Sequence, residues 1–266
     1  MSQPLALAIN GATGRVGKRL IALGHADSTL NLVAALEYPD HPQQGEDAGE
    51  LAGIGNICLP ISSELEESCQ AAIDFSTPQG ADSVLKECLE RGIPLVLATT
   101  GLSDLQLQQI EEATERIPIV YSPNMSLAVN LTMKLAETAA QALANHTSGV
   151  DVEILERHHR YKEDAPSGTA LKFGELISNK MGQNVETHGR NGRPGARPAN
   201  EIGYHAIRTG DNPGEHTIVY GMLGETVELT VRASNRDCYA LGALQAAKFA
   251  VKQAPGLYSM YDVLGI

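Results

Sequence analysis

Two adjacent histidines and a lysine lie in the segment ERHHRYKEDAPSGTA, which runs from Glu156 to Ala170. Histidine titrates near neutral pH and can pass protons, whereas lysine supplies a fixed positive charge or a proton. His158 and Lys162 are therefore the candidate acid–base pair of the chain. The alternative interpretation is a solvated basic loop without a chemical role.

The second half of this segment, Pro-Ser-Gly-Thr, opens a predicted helix. The hydroxyls of Ser167 and Thr169, with the backbone amides of Gly168 and Thr169, would make a compact anion site at the helix N-terminus. The pattern predicts a seat for a carboxylate, and an ordinary capped helix is the alternative. No metal site is predicted, because adjacent histidines on extended backbone point in different directions and no Cys or carboxylate has a familiar ligand spacing.

Three glycines follow the first apolar run at the spacing G-x-x-G-x-x-G, namely Gly11, Gly14 and Gly17. Small residues at such a turn let the backbone approach a pyrophosphate, which binds amides at the start of the following helix. Glu37 ends the second apolar run, about 20 residues further on, where a carboxylate can accept hydrogen bonds from ribose hydroxyls. This order of elements predicts dinucleotide binding, and a glycine turn of purely structural meaning is the alternative.

The choice of cofactor depends on the residues that follow Glu37. NADPH carries a 2′-phosphate that needs a nearby cation, and Tyr38, Pro39 and Asp40 supply none. The sequence therefore predicts NADH as the preferred cofactor and leaves NADPH open as the alternative.

Three further apolar runs end in polar residues, at Phe75–Pro78, Ala98–Gly101 and Ser122–Ser126. Open parallel sheets bind ligands at the carboxyl ends of their strands, so these endings would face the same crevice as the glycine turn. Their hydroxyls, exposed amides and an asparagine suit the nicotinamide carboxamide and ribose. Capping of the following helices is the alternative for each ending taken singly.

The first half of the chain alternates short apolar runs with helical patterns. Continuous apolar runs of this length are typical of strands buried on both faces of a parallel sheet. They occur at Leu5–Asn10, Leu32–Glu37, Ala71–Ser76, Pro94–Thr99 and Pro118–Ser122. The helical patterns lie at 15–25, 78–91 and 103–116. This alternation predicts an α/β domain of the Rossmann type with a parallel sheet.

The pattern changes after Asn124. Helices are predicted at 127–145, 169–181 and 239–252, and strands at 150–156, 201–208, 215–221 and 225–233. Strands in succession favour an α+β second domain with a mostly antiparallel sheet. The predicted domains are a dinucleotide-binding domain at 1–127, completed by 239–266, and a substrate-binding domain at 128–238.

The composition excludes several classes of protein. With 266 residues, 42% of them hydrophobic and 20% charged, the chain is typical of a globular protein. Its net charge of −12 opposes general nucleic-acid binding, which needs clustered Lys and Arg. No stretch reaches the roughly 18 apolar residues that span a bilayer, no signal peptide precedes the first strand, and the cysteines are dispersed like reduced thiols. We expect a cytoplasmic protein that binds neither nucleic acid nor membrane.

The segment Glu156–Ala170 closely resembles the signature E-x-HH-R-x-K-x-D-A-P-S-G-T-A of the dihydrodipicolinate reductases. Shorter matches to that family cover nearly the whole chain: GATGRVG, AALE, DAGELAG, IDFSTP, TTG, NMSLAVN, GEHT and YDVLG. The resemblance implies NAD(P)H-dependent reduction of 4-hydroxy-tetrahydrodipicolinate, by way of dihydrodipicolinate, to tetrahydrodipicolinate in diaminopimelate and lysine biosynthesis. It also implies a homotetramer joined through the sheets of the second domain, which would then serve oligomerisation as well as substrate binding.

The resemblance also implies a role for individual residues. His158 matches the catalytic histidine and Lys162 the proton-donating lysine of the family. The substrate, a small dicarboxylate, would be bound by His159, Ser167, Gly168 and Thr169. The cofactor-contacting positions are Gly11, Ala12, Thr13, Gly14, Arg15, Val16, Glu37, Ala98, Thr99, Thr100, Ser122, Pro123, Asn124 and Met125.

One departure from the family pattern bears on the cofactor. Many bacterial members have an arginine directly after the acidic residue, where this chain has Tyr38, so the departure again favours NADH. Two alternative functions remain at this point: another two-domain NAD(P)-dependent dehydrogenase of a small carboxylate, and a nucleotide sensor without catalysis. The first does not need a Pro-Ser-Gly-Thr seat after two histidines, and the second needs neither His158 nor Lys162.

Overall fold

A computed structural model of the chain describes residues 3–266, so Met1 and Ser2 of the predicted first domain lie outside the described residues. The chain forms two compact units. Unit 1 combines the residues up to Leu127 with Arg236–Ile266, and unit 2 consists of Ala128–Asn235.

Unit 1 is built on a sheet of seven parallel strands. The strands are β1 (Leu5–Asn10), β2 (Leu30–Leu36), β3 (Ile61–Ser62), β4 (Ala71–Asp74), β5 (Leu95–Leu97), β6 (Pro118–Tyr121) and β12 (Gly256–Tyr258). The helices are α1 (Gly17–Ala26), α2 (Ala48–Ala52), α3 (Pro78–Arg91), α4 (Asp104–Ala113), α7 (Asp237–Ala250) and α8 (Met260–Leu264). In space the strands follow the order β12-β6-β5-β4-β1-β2-β3. The strand order reverses beside β1, which opens a crevice at the carboxyl ends of β1 and β4.

Helices cover both faces of this sheet. Leu7 and Ile9 of β1 pack in one core cluster with residues of α1 and α7, whereas Ala8 packs in a second cluster with residues of α3 and α4. Because side chains alternate along a strand, a strand buried on both sides is apolar at most of its positions. The predicted Rossmann-type fold is confirmed.

Helix α3 has the bounds that the sequence predicts. Thr77 caps its start by accepting a hydrogen bond from the Gly80 amide, Pro78 is its first residue, and Gly92 ends it in the left-handed conformation with φ of 66°. Five short elements were not predicted: α2, β3, β12 and α8 of unit 1, and β8 (Val185–His188) of unit 2. They have two to five residues, too few to show a hydrophobic period.

Unit 2 holds a five-stranded sheet with two helices. Its strands are β7 (Asp151–His158), β8 (Val185–His188), β9 (Glu201–Arg208), β10 (Gly214–Met222) and β11 (Glu225–Ala233). Its helices are α5 (Leu127–Leu143), from Ala128 onward, and α6 (Gly168–Met181). The spatial order is β11-β10-β7-β9-β8.

This sheet contains as many parallel as antiparallel strand pairings, so the prediction of a mostly antiparallel sheet overestimated the antiparallel share. β10 pairs antiparallel with β11 and β7, whereas β9 pairs parallel with β7 and β8. Parallel pairing needs a long crossover connection. The connection from β7 to β9 contains α6, and the loop 189–200 joins β8 to β9. The order of the strands along the chain also misled the prediction, because in the sheet β7 lies between β9 and β10.

One face of the unit 2 sheet is buried. Along β7 the residues Val152, Ile154, Glu156 and His158 are buried, and the residues between them are exposed or half-buried. The Tyr220 hydroxyl of β10 donates a hydrogen bond of 2.7 Å to a carbonyl of α5. Within residues 3–266, no helix combines the length and the apolar character needed to cross a bilayer.

Candidate active site

The glycine turn of unit 1 joins β1 to α1. Gly11 has φ of +78°, and a side-chain carbon on it would lie 2.6 Å from the Phe75 carbonyl oxygen. A carbon on Gly17 would overlap the Gly11 carbonyl oxygen. The turn itself therefore requires both glycines, and Gly11 also lines the cavity described next. A carbon on Gly14 would meet only the Gly11 carbonyl oxygen, at 3.1 Å, and Gly14 lines a cavity.

This cavity has a volume of about 680 Å³ and lies at the carboxyl ends of β1, β2 and β4. Its wall includes Gly14, Glu37, Tyr38, Ser76 and Gln79. The size is that of a site for an organic ligand, and the glycine turn leaves backbone at its surface. The residues present fit the adenosine and pyrophosphate part of a dinucleotide.

Glu37 is fixed to the glycine turn. Its Oε1 accepts hydrogen bonds from the Thr13 backbone amide at 2.9 Å and from the Thr13 hydroxyl at 2.7 Å. Its Oε2 has no protein partner within residues 3–266. Oε1 thus fixes the side chain to the glycine turn, and Oε2 is available to accept a hydrogen bond from a ligand hydroxyl.

A second cavity of about 380 Å³ gathers most of the residues predicted for the nicotinamide end. It is lined by Arg15, Val16, Ala98, Thr99, Thr100, Pro123, Asn124 and Met125, with Phe75, Ser76 and Tyr239. Tyr239 of α7 was not predicted as a site residue, and only the topology reveals it. Ala12 and Ser122 line neither described cavity, and both are buried; the Ser122 hydroxyl donates to the Asn124 carbonyl at 2.8 Å.

A buried carboxylate, Asp74, ties three strand ends together at this edge. It accepts hydrogen bonds from Asn10 Nδ2 at 2.7 Å, Ser76 Oγ at 2.5 Å and Thr99 Oγ1 at 2.5 Å. Burial raises the pKa of Asp74, and the three donors act against that rise. Asp74 positions the polar residues around the crevice. The sequence signal for it is an aspartate inside an apolar run.

In unit 2 the candidate acid–base residue His158 contacts a second buried carboxylate, Glu156, which is 2% exposed. Its Oε2 lies 2.6 Å from His158 Nδ1, and the Ser167 amide donates to its Oε1 at 3.1 Å. Arg208 donates to both oxygens, at 2.8 and 2.7 Å. The bidentate pair with Arg208 supplies the charge compensation that a buried carboxylate needs.

Strand register explains how these residues meet. Glu156 and His158 are two residues apart on β7 and so share its buried face. Arg208 ends β9 opposite His158, and His216 of β10 lies opposite Glu156. Sequence reasoning missed Arg208 and His216, because only the strand order brings them to this row.

The cluster sets the protonation of its members. Burial, the largest influence, would raise the pKa of Glu156, but the hydrogen bonds and charges of Arg208 and His158 outweigh it and hold that pKa below its usual value. Burial lowers the pKa of His158, and the charges of Lys162 and Arg208 add to this against the opposing effect of Glu156. A neutral His158 donates from Nδ1 to Glu156, which leaves the lone pair on Nε2.

Ser167 is buried and caps helix α6, where its hydroxyl accepts a hydrogen bond from the Ala170 amide at 3.2 Å. The same hydroxyl lies 2.9 Å from His216 Nε2. Burial, with the nearby His158, lowers the pKa of His216 to about 4. The Ser167 hydroxyl is thus engaged inside unit 2. Gly168 is exposed, and a side-chain carbon on it would meet nothing within 4 Å.

The loop after β7 carries the remaining candidates. Lys162 Nζ lies 2.7 Å from Asp164 Oδ1, and Arg208 donates to the carbonyl oxygens of both residues, at 3.3 and 2.5 Å. His159 Nδ1 is buried and has no hydrogen-bond partner within the described chain. Among residues 3–266, no group of three or more His, Cys, Asp or Glu side chains could hold a metal ion.

Comparison with known proteins gives a consistent result. Residues 5–125 match the family described as "Dihydrodipicolinate reductase, N-terminus", and residues 128–264 match "Dihydrodipicolinate reductase, C-terminus". The chain is 56% identical to a 4-hydroxy-tetrahydrodipicolinate reductase of Rhodopirellula baltica, over 99% of this chain and 97% of that protein. It is 47% identical to the protein of the same name from Alkalilimnicola ehrlichii, over 98% of both chains.

Solved structures agree on the fold. A dipicolinate-bound dihydrodipicolinate reductase from Paenisporosarcina sp. TG-14 superposes with a TM-score of 0.76 at 24% identity, over 98% of this chain and 99% of that one. An amine dehydrogenase from Mycobacterium smegmatis superposes with a TM-score of 0.63 at 10% identity, over 96% and 95% of the two chains. At such identities these structures establish the architecture alone.

Proposed function

Because the chain belongs to the dihydrodipicolinate reductase family, we propose that it reduces 4-hydroxy-tetrahydrodipicolinate to tetrahydrodipicolinate with a nicotinamide cofactor. This step belongs to diaminopimelate and lysine biosynthesis. The observation that carries the proposal is the contact of 2.6 Å between His158 and Glu156. The same carboxylate accepts a hydrogen bond from the backbone amide of Ser167, the residue that caps α6. Together these two contacts place a neutral imidazole and a helix N-terminus on one buried carboxylate.

The cofactor is proposed to bind along the carboxyl edge of the unit 1 sheet. A reduced nicotinamide, when bound, supplies hydride. The glycine turn from Gly11 to Val16 would hold the pyrophosphate, Glu37 the adenosine ribose, and the residues at 98–100 and 122–125 the nicotinamide end. Ala12 and Ser122, which line neither cavity, would act by packing and by fixing the Asn124 carbonyl.

NADH is proposed as the preferred cofactor. The wall of the larger cavity includes two carboxylates, Glu37 and Glu87, and none of its lining residues is Lys or Arg within the described chain. A 2′-phosphate would add negative charge beside Glu37 without a cation to compensate it. NADPH is expected to bind more weakly at the same site.

The substrate dicarboxylate is proposed to bind at the start of α6. The backbone amides of Gly168 and Thr169 lie at this helix N-terminus, where N–H groups favour a carboxylate, and the open space beside Gly168 admits one. His159, whose buried Nδ1 has no partner within residues 3–266, would donate to the substrate as well. Ser167 would support this seat as the helix cap.

The proton is proposed to come from His158 or Lys162. Reduction of a conjugated ring makes an electron-rich product that must take up a proton. Lys162 can donate one from Nζ, and the Nε2 lone pair of His158 can receive one and pass it on. Arg208 holds the loop that carries Lys162 and also neutralises Glu156. Lys162 and Arg208 would both stabilise the negative charge that develops on the substrate during the reaction.

Two broader assignments remain predictions. A homotetramer joined through unit 2 is supported by the face of its sheet opposite the helices, where Leu155 and Ile207 are 36% and 46% exposed. A cytoplasmic location is predicted from the sequence. Light scattering of the purified protein tests the first, and a dimer or monomer would contradict it.

The function is tested by generating the substrate in situ from pyruvate and aspartate semialdehyde with the upstream synthase. Oxidation of NADH and of NADPH is then followed separately. We expect turnover with both cofactors and a higher kcat/KM with NADH. If neither cofactor is oxidised, the proposed reaction is wrong; if NADPH is the better one, the cofactor assignment alone is wrong.

A further inference from the structure

His41 lies in the loop after β2 and is not among the residues that line the larger cavity. Its Nε2 is 3.2 Å from the Thr13 hydroxyl oxygen. On the other side of the ring, Nδ1 accepts a hydrogen bond of 3.2 Å from the Gln43 backbone amide. His41 therefore contacts the glycine turn from outside the wall that Thr13 and Glu37 form.

The hydrogen-bond partners assign the proton on this ring. The Thr13 hydroxyl has a single hydrogen, which it donates to Glu37 Oε1 at 2.7 Å, since a carboxylate can only accept. Toward His41 the hydroxyl oxygen can then only accept, so Nε2 carries the hydrogen. Nδ1 faces an N–H donor and carries none. His41 is a neutral imidazole that donates toward the site.

A relay of hydrogen bonds thus runs from His41 through Thr13 to Glu37. The Thr13 backbone amide adds a second donor to the same carboxylate oxygen, at 2.9 Å. With Oε1 held by two donors, the carboxylate plane is fixed, and Oε2 is the oxygen that remains for a ligand in the cavity that Glu37 lines.

The loop that carries His41 is itself held in place. The His41 amide donates to the Tyr38 carbonyl at 3.0 Å, and Gln44 Nε2 donates to the same oxygen at 2.9 Å. The Tyr38 ring meets the His41 ring edge to face, with centroids 5.0 Å apart. The imidazole is therefore presented to Thr13 in a defined orientation.

We propose that His41 is a positioning residue for recognition of the adenosine ribose. By orienting the Thr13 hydroxyl, it fixes the Glu37 carboxylate so that Oε2 accepts a hydrogen bond from the ribose 2′-hydroxyl. This inference rests on the proposed function, because it needs a nicotinamide dinucleotide in this cavity.

The test is direct binding, measured by fluorescence titration with NADH and with its analogue that lacks the 2′-hydroxyl of the adenosine ribose. We expect His41→Ala to raise the Kd for NADH roughly three- to tenfold, the range for one lost hydrogen bond. The Kd for the deoxy analogue should hardly change, so the discrimination between the two ligands falls by the same factor. The kcat at saturating NADH and the KM for the substrate should stay at wild-type values.

Two further single variants and one double variant distinguish loss of the relay from a general effect on the loop. His41→Gln keeps an N–H donor and should recover part of the discrimination. Gln43→Ala removes a side chain of the same loop that donates to Glu46 at 3.4 Å, and it should bind like wild type. In a Thr13→Val background, His41→Ala should have no further effect, because the relay is already broken.

Several outcomes would overturn the inference. His41→Ala with wild-type discrimination would do so, and so would an equal loss of affinity for NADH and for the deoxy analogue. A wild-type protein that binds neither NADH nor NADPH would overturn the proposed function itself, and the inference with it. A failure confined to the variants leaves the proposed function standing.

Discussion

Glu156 is the residue on which the proposed proton chemistry of unit 2 depends. It is almost fully buried and accepts hydrogen bonds from His158, Arg208 and the Ser167 amide. Leaving a carboxylate buried without partners would cost several kcal/mol, so this residue needs all of them. In return it selects the His158 tautomer and opposes the fall in the His158 pKa that burial causes.

Changing Glu156 to Gln keeps the size and removes the charge. We expect kcat to fall roughly 10- to 100-fold, with the Kd for NADH unchanged, because the imidazole loses its orienting anion. The pKa of His158 should fall further, since Glu156 is what raises it, so the acidic limb of the kcat–pH profile should move to lower pH. An unmoved profile would mean that His158 does not give rise to this limb.

His158→Gln and Lys162→Ala test the proton donors themselves. Each should lower kcat by roughly 10²- to 10⁴-fold, the usual contribution of general acid–base catalysis, and leave the Kd for NADH near wild type. Lys172→Ala is a matched control, because Lys172 is an exposed lysine paired with Glu175 on α6. Near-normal turnover in both His158→Gln and Lys162→Ala would remove these residues from the mechanism.

Single residues differed in how far the sequence could predict them. The residue types histidine, lysine and glycine already indicate proton transfer or a tight turn. His158, Lys162 and the Gly11–Gly17 turn could therefore be selected as candidates from the sequence alone. Arg208 and His216 could not, because their meaning depends on lying opposite His158 and Glu156 in the sheet. The roles of the predicted site residues remain proposals until the variants are measured.

Helix α6 contains two glycines with opposite requirements. A side-chain carbon on Gly168 would meet nothing within 4 Å, whereas one on Gly174 would overlap the Tyr204 hydroxyl. The fold therefore needs Gly174 and does not need Gly168. The absence of a side chain at Gly168 fits the proposed carboxylate seat.

Gly168→Ala and Gly174→Ala form a matched pair. The first should raise the substrate KM several-fold and leave the free energy of unfolding within about 0.5 kcal/mol of wild type. The second should lower the free energy of unfolding by about 1–3 kcal/mol, because it overpacks a buried contact. Urea titration and steady-state kinetics on both variants measure this. A Gly168→Ala enzyme with unchanged KM would argue against a carboxylate beside that residue.

Elements with a continuous apolar run or a full helical period were predicted to within a few residues, as α3 and β9 illustrate. The order of strands in unit 2 was not. After the crossover through α6, β8 takes the edge of the sheet and β9 lies next to β7. That placement is decided by packing of the whole unit. Local patterns do not contain this information.

The titration of His216 should contribute to the pH dependence of the free energy of unfolding. In the unfolded chain a histidine titrates near its usual pKa of about 6.5, whereas in the folded protein burial lowers the pKa of His216 to about 4. The unfolded state therefore binds more protons between these values. The contribution to stability is complete above pH 6.5 and is lost as pH falls toward 4, by up to about 3 kcal/mol.

His216→Gln removes this titration and keeps a hydrogen-bonding partner for Ser167. We expect the variant to lose less stability than wild type between pH 7 and pH 5 in urea titrations. His25→Gln, at an exposed residue of α1, should retain the wild-type slope. A parallel decline in wild type and His216→Gln would assign the pH dependence to other groups.

Unit 1 draws its residues from both ends of the chain, and this has a consequence for biosynthesis. The helix α7 supplies Ala243, Leu244 and Ala247 to the core cluster that contains Leu7 and Ile9, and β12 adds the edge strand beside β6. A ribosome makes all of these after unit 2, whose residues are contiguous. Unit 2 can therefore complete its own sheet on the emerging chain, whereas in unit 1 the part of the sheet face that α7 covers stays exposed until α7 has been made. The nascent protein passes through a stage in which the dinucleotide-binding half is exposed to aggregation and suited to chaperone binding.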